Sequence, residues 1–339
     1  MADPEAGVLD VTVVLLEDGF SSTAIMPIEV FDSAGSLWRQ LHGQAPQRRF
    51  RVTTATLDGG PVRNSHGLSL APQAAIGDIE RTDIVIVSTS GLALDEKLEA
   101  NTALPPWLRR QHDQGAHVAG VCMAAAYLAQ AGLLDGRMAT THWALAAEFA
   151  RRWPTAIWRP EMMVTEDARV LCSGGVCASI DISLYLVEKL CGHEVAVQCA
   201  KALLLNMPRV SQSGYAVLPL SPEHGDTAIR AVESYLQEHC REDLSIDRLA
   251  AKAGMSPRTF VRRFKAATGR FPGAYVQAAR VELAKAMLER DGAPVQSVST
   301  AVGYEDVAFF RALFKRTTGM TPAQYRARFA AIGVRQPAA

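Results

Sequence analysis

The rhythm of hydrophobic positions changes near residue 206. Before it, short apolar runs alternate with stretches of helical period. Val11–Leu16, Phe50–Ala55, Asp83–Ser88 and Val118–Cys122 are dense in apolar and β-branched residues, and helical spacing recurs at Ala24–Leu41, Pro106–Gln114, Ala124–Ala131, Ala144–Arg152 and Ala178–Leu190. Such runs interleaved with helices predict an α/β sandwich over residues 9–206, its mainly parallel sheet covered on both faces. A hairpin is expected within Ile157–Leu171. Between Asn206 and Gly225 the periodicity fades while three prolines and two glycines accumulate, which predicts a linker over 207–225. Beyond it only helical periods remain: Ala228–His239, Ile246–Ala253, Pro257–Thr268, Ala274–Glu289, Val295–Ala301 and Val307–Thr317. Residues 226–330 therefore form a second, all-α domain.

That second domain contains one unit twice, over about 245–268 and 295–317. In the first copy Ser245 caps a short helix that turns Leu249 and Ala250 inward, and Ala253-Gly254-Met255 makes a tight turn. Ser256-Pro257 then supplies a cap and a first-turn proline for a second helix. Phe260 and Phe264 face the core there, leaving Arg258, Thr259, Arg262 and Arg263 on the surface. In the second copy Val295–Val298 precedes the turn Ala301-Val-Gly303, and Asp306 caps a helix that buries Phe310, Leu313 and Phe314. Val307, Ala308, Arg311 and Lys315 are left outside. Helix, glycine turn and polar helix make a helix-turn-helix, whose second helix can enter a major groove.

Charge sharpens this division. The 339 residues carry no formal net charge, yet residues 1–225 hold 17 basic and 24 acidic side chains and residues 226–339 hold 18 and 11. The first half is thus at −7 and the second at +7, so a polyanion is the expected partner of the second alone. Gly303-Tyr-Glu-Asp306, Phe310-Arg311, Phe314-Lys-Arg316, Gly319-Met-Thr-Pro322 and Tyr325-Arg326 resemble the second-copy signature of AraC/XylS transcription regulators. Ala250, Gly254, Ser256, Phe264 and Gly269 match the first copy. Ser299 departs from the alanine usual in that family, with an effect expected only on local packing. The resemblance covers residues 226–330 and implies promoter DNA and RNA polymerase as partners.

In the acidic half, Gly120-Val-Cys122-Met-Ala124 lies between a strand and a helix, the setting of a nucleophile elbow. His142, in Ala139-Thr-Thr-His142-Trp143, could join Cys122 at the strand ends. These residues, with Ala131-Gly-Leu-Leu-Asp-Gly-Arg137 and the Ser173-Gly-Gly175 to Asp181 stretch, resemble the PfpI-like members of the class I glutamine amidotransferase-like superfamily. The likeness implies a flavodoxin-like fold. In the enzymes of that superfamily a carboxylate joins the thiol and imidazole; here Thr23 occupies its place. Ser88-Thr-Ser-Gly91 replaces the Gly-Gly of the oxyanion loop, which weakens oxyanion stabilisation. Cys122, His142, Ser90, Gly91 and Thr23 are the candidate ligand-pocket residues.

Fusion of the two domains is the architecture of GlxA-type regulators. It implies a metabolite-responsive activator, a homodimer, and an inducer that is an amine, an amino acid or a betaine-like compound. Two other uses of Cys122 stay open: a cysteine-dependent hydrolase, lyase or glyoxalase-like enzyme fused to the DNA-binding domain, and a thiol redox sensor. The six cysteines form no CxxC pair, and Cys172 and Cys177, or Cys191, His193 and Cys199, lack zinc-finger spacing. No metal and no cofactor is expected. The acidic N-terminus has no secretory pattern and no apolar run approaches the ~20 residues of a membrane helix, so a cytoplasmic location without membrane partners is expected.

Overall fold

A computed structural model describes residues 7–216, 224–242, 244–290 and 292–330. The chain divides into two compact units, Met1–Gln212 and Ser213–Ala339. Residues 207–212 of the expected linker thus belong to the first unit; residues 217–223 lie outside the described residues.

The first unit is built on a seven-stranded sheet: β1 (Leu9–Val14), β2 (Phe50–Thr56), β3 (Ala74–Ala75), β4 (Ile84–Val87), β5 (His117–Val121), β6 (Val164–Asp167) and β7 (Val170–Ser173). Their order is β6-β7-β5-β4-β1-β2-β3. All pairings are parallel except β6 with β7. Val13, Val14 and all of Ile84–Val87 are fully buried, as expected of central parallel strands under helices. Because β5, β4 and β1 are parallel neighbours, their carboxyl ends open along one edge, where α/β sheets hold their ligands.

Two expectations need correction. The helix foreseen over Ala24–Leu41 is two, Ser22–Ser33 and Leu37–Leu41. Between them Gly35 takes a left-handed φ of 75°, which a helix cannot pass through. The hairpin foreseen at Ile157–Leu171 is instead β6–β7, whereas Ile157–Trp158 pairs in parallel with Met138–Ala139. Its two-residue turn is Ala168-Arg169, with φ of 48° and 65°. Turns of this hand are usually marked by Asn or Gly, and here that mark is absent.

The second unit comprises helices Thr227–His239, Ile246–Lys252, Pro257–Thr268, Pro272–Arg290, Val295–Ala301, Val307–Thr318 and Pro322–Phe329. The last was not foreseen. It shows that the internal repeat is larger than the helix-turn-helix alone. Phe264 meets the edge of Tyr275 at 5.3 Å and 85°, and Phe314 meets Tyr325 at 5.5 Å and 83°. Thr268 Oγ donates to Phe264 O at 2.7 Å and Thr318 Oγ to Phe314 O at 2.8 Å. The long helix Pro272–Arg290 closes the first head with Tyr275 and opens the second with Val281, Ala284 and Leu288, which match Ile229, Val232 and Leu236 of the first. One strut thus belongs to both cores. No helix among the described residues is long and apolar enough to cross a membrane.

Candidate nucleic-acid interface and ligand site

The two reading helices, Pro257–Thr268 and Val307–Thr318, begin on side-chain caps. Ser256 Oγ accepts from Thr259 N, and Asp306 Oδ1 accepts from Ala308 N at 2.8 Å and Phe309 N at 3.0 Å. With Phe260 and Phe264 turned inward, Arg258, Arg262 and Lys265 stand exposed on the far side of the first helix. Thr259 is half-buried, its hydroxyl accepting from Ser256 Oγ at 3.0 Å. Arg263 differs from the other two arginines. Its Nε donates to Asp226 Oδ2 at 3.0 Å and its Nη2 to Asp226 Oδ1 at 2.9 Å. Asp226 caps the helix Thr227–His239, so Arg263 fastens the reading helix to that cap while its side chain stays partly exposed.

Counting from the paired phenylalanines, Ala308 and Ala312 of the second head take the places of Arg258 and Arg262, and Lys315 that of Lys265. Ala308, Phe309, Arg311, Ala312, Lys315 and Arg316 are exposed, and Val307 is half-buried. Lys265, Phe309 and Ala312 were missed in the sequence; superimposing the two phenylalanine ladders places them opposite Lys315, Thr259 and Arg262, whereas Arg316, opposite Ala266, carries no such signal. The second turn is also one residue longer, Gly303 preceding Phe310 by seven positions where Gly254 precedes Phe260 by six.

The Cys122 site is organised differently. Cys122 sits at the end of β5 with a φ of 57°, the strained turn of an elbow. Its thiol is buried, however, and burial pushes its pKa up to about 11, against weaker opposing hydrogen bonds with Met123, Thr89 and the His142 backbone. His142 is half-buried, and burial holds its pKa below the usual value. Its Nδ1 accepts from Ala144 N at 3.1 Å, which leaves the proton of the neutral ring on Nε2. A catalytic cysteine–histidine pair needs the reverse, a low thiol pKa beside an imidazolium.

Thr23 and Ser90 are corrected from pocket-lining to supporting residues. Thr23 is fully buried; its Oγ1 donates to Phe20 O at 2.6 Å and accepts from Thr89 N at 3.1 Å. The Thr89 N–H, in the loop that replaces the oxyanion cradle, is thereby spent. Ser90 is buried and accepts from Tyr127 Oη at 3.0 Å. Gly91 is half-buried and packs against Asp18, itself ion-paired with Lys97. Gln212 was not foreseen. Its amide is buried, donating to Thr141 O at 2.8 Å and accepting from Trp143 N at 3.2 Å on either side of His142. Nothing within the expected linker marked it. Among the described residues no cluster of three or more His, Cys, Asp or Glu could hold a metal ion.

A family model for the DJ-1/PfpI family matches residues 11–189. The chain belongs to the DJ-1/PfpI family. A helix-turn-helix domain model matches residues 249–328, so the DJ-1/PfpI domain is joined to a DNA-binding module. The HTH-type transcriptional regulator CdhR of Pseudomonas aeruginosa is 29% identical over 281 residues, 82% of each chain. The HTH-type transcriptional regulator GlxA of Rhizobium meliloti is 27% identical over 82% of this chain and 86% of its own. Both cover the two domains together, and the chain is a DNA-binding transcription regulator. The crystal structure of Drosophila melanogaster DJ-1beta, 22% identical, matches 59% of this chain and 99% of its own with a TM-score of 0.50. That likeness bears on the fold of the DJ-1/PfpI domain alone, the flavodoxin-like sheet.

Proposed function

We propose that this regulator is a metabolite-responsive activator whose DJ-1/PfpI domain binds an inducer at the sheet edge beside the Cys122 turn without turning it over. The observation that carries the reading is the buried Cys122 thiol on its strained turn, with the His142 ring engaged through Nδ1 by Ala144 N rather than by the thiol. Thr23 brings no carboxylate, and the Thr89 N–H is already taken. The same raised thiol pKa disfavours a redox trigger, since oxidation follows thiolate character. Cys122, His142 and Gly91 line the inducer site; Thr23 and Ser90 hold its floor. The resemblance to GlxA-type regulators supports an amine, amino acid or betaine-like inducer. It also supports action as a homodimer that contacts RNA polymerase on promoter DNA. Arg258 and Arg262 read bases, Thr259 supports them, and Lys315 and Arg311 hold phosphates beside Val307 and Ala308.

A thermal-shift screen of such metabolites tests the binding half of the proposal. A true inducer at 100 times its dissociation constant adds about 2.7 kcal/mol to the stability of the domain it binds. The catalytic half is tested by incubating the chain with glyoxals, amides and isonitriles, with Cys122→Ala as control. Multiple turnovers that depend on Cys122, near ~1 s⁻¹ or faster, would overturn the sensing role. Iodoacetamide gives an independent check. With the thiol pKa pushed up to about 11, thiolate is scarce at neutral pH, so Cys122 alkylation should keep accelerating beyond pH 10. Exposed Cys177 reacts first.

A further inference from the structure

We propose that Arg280 is a positioning residue that fixes the spacing and rotational phase of the two reading heads on DNA. It lies mid-way along the strut helix Pro272–Arg290. Its Nε donates to Cys240 O at 2.6 Å and its Nη2 to Glu242 O at 2.9 Å, both just past the entry helix of the first head. Its Nη1 donates to Gly303 O at 2.9 Å, within the turn of the second head. The guanidinium carbon also lies 4.9 Å from the centre of the Tyr304 ring. One rigid planar fork thus bonds three main-chain carbonyls drawn from both heads. Because the acceptors are backbone, the fork sets the distance between the two chain segments and is insensitive to surface side chains.

Gly303 gives independent support. A Cβ there would lie 2.6 Å from Arg241 O and 3.0 Å from Arg280 Cζ, whereas the matching Gly254 has nothing within 4 Å. The backbones of the two heads meet at this point with no room for a side chain. The position matching Arg280 in the first entry helix is Ala228, so the fork belongs to the junction and not to the repeated unit. Two heads in successive major grooves must keep a separation near 34 Å, and each base pair inserted between their half-sites turns one by about a tenth of a turn. A linkage that resists such rotation makes spacing part of the recognition.

The test uses the full chain and a duplex enriched by it from a random pool. A series of duplexes moves the two halves of the footprint apart by one to five base pairs, and one duplex keeps only the first half. The wild-type chain should bind tightly only at the selected spacing. Arg280→Ala should bind that duplex about tenfold or more weakly, through lost pre-organisation of the second contact. It should bind the one-half duplex as the wild type does and respond flatly across the spacing series. Arg280→Lys, which keeps the charge without the fork, should also flatten the series; it carries the test if a melting curve shows that Arg280→Ala does not fold. A wild-type spacing profile in the folded variant would overturn the proposal, as would equal weakening on one-half and two-half duplexes. A wild-type footprint confined to one half would instead overturn simultaneous use of both heads, a separate failure.

Discussion

The two reading heads share a skeleton down to the threonine that closes each reading helix, yet they present opposite chemistry. The first shows Arg258 and Arg262 to solvent where the second shows Ala308 and Ala312. Long cationic forks suit guanine edges, and small apolar faces suit thymine methyl groups at close approach. A duplicated fold can therefore offer two different reading surfaces, while the aromatic side chains shared by both copies build the cores. The same distinction between spare and committed groups separates Arg258 from Arg263, which is held by Asp226, and the reading heads from the buried Cys122 turn.

The largest effect that tests whether both heads engage is the response to salt. With six or more phosphates neutralised, binding of the full chain to its selected duplex should fall about 10³-fold between 50 and 200 mM salt. Lys265→Ala and Lys315→Ala, at matching positions, should each reduce the log–log slope by about one. A silent substitution at either lysine would show that its head stays off the DNA.

The glycine turns should respond unequally to a methyl group. Both Gly254 and Gly303 have left-handed φ, at 64° and 90°, so alanine costs about 1–2 kcal/mol at either. At Gly303 the close approach to Arg241 O and Arg280 adds about 1–3 kcal/mol of overpacking. Urea melts of the two variants, followed by a signal from the second unit, measure the difference. Equal losses would mean that the junction yields easily.

Arg258 and Arg263 should part company in a base-preference assay. Arg258→Ala should cost about 1–3 kcal/mol, concentrated at one base pair. Arg263→Ala should leave base preference alone and cost up to about 1 kcal/mol of stability, because the Asp226 pair it breaks is partly solvent-exposed. A uniform loss across sequences for Arg258→Ala would make it a phosphate contact.

Much of this was legible in the sequence because the signals were local. Apolar runs gave the central strands, and Ser256-Pro257 and Asp306 gave the starts of both reading helices. What escaped depended on distant partners. Arg263 looked identical to Arg262 until the fold brought Asp226 to it from 37 residues away. Thr23 and Ser90 belonged with Cys122, but as internal hydrogen-bonding groups rather than as a lining. Gln212 sat in a stretch without periodicity, and the Ala168-Arg169 turn adopts left-handed φ without the residues that usually announce it. Arg280 carried no mark at all, since its acceptors are main-chain carbonyls.

Ser299 brings the smallest expected effect and the finest comparison between the heads. Read from sequence, it departs from the alanine usual in AraC/XylS regulators and should touch only packing; its match in the first head is Ala250. In the fold Ser299 is fully buried, and its Oγ donates to Tyr304 O at 3.0 Å while Tyr304 N donates back to Ser299 O at 2.9 Å. In the first head Met255 N donates to Ala250 O at 2.9 Å, and an alanine has no hydroxyl to complete the pair. The serine thus ties down the turn that is one residue longer, at the place where Gly303 meets Arg280. Ser299→Ala should destabilise the second unit by about 0.5–1.5 kcal/mol, the usual net worth of one such bond. Ala250→Ser, on the shorter turn, should bring no matching gain. Denaturant melts of both variants give the two numbers. A neutral Ser299→Ala would leave the longer turn held by Arg280 and its own backbone alone.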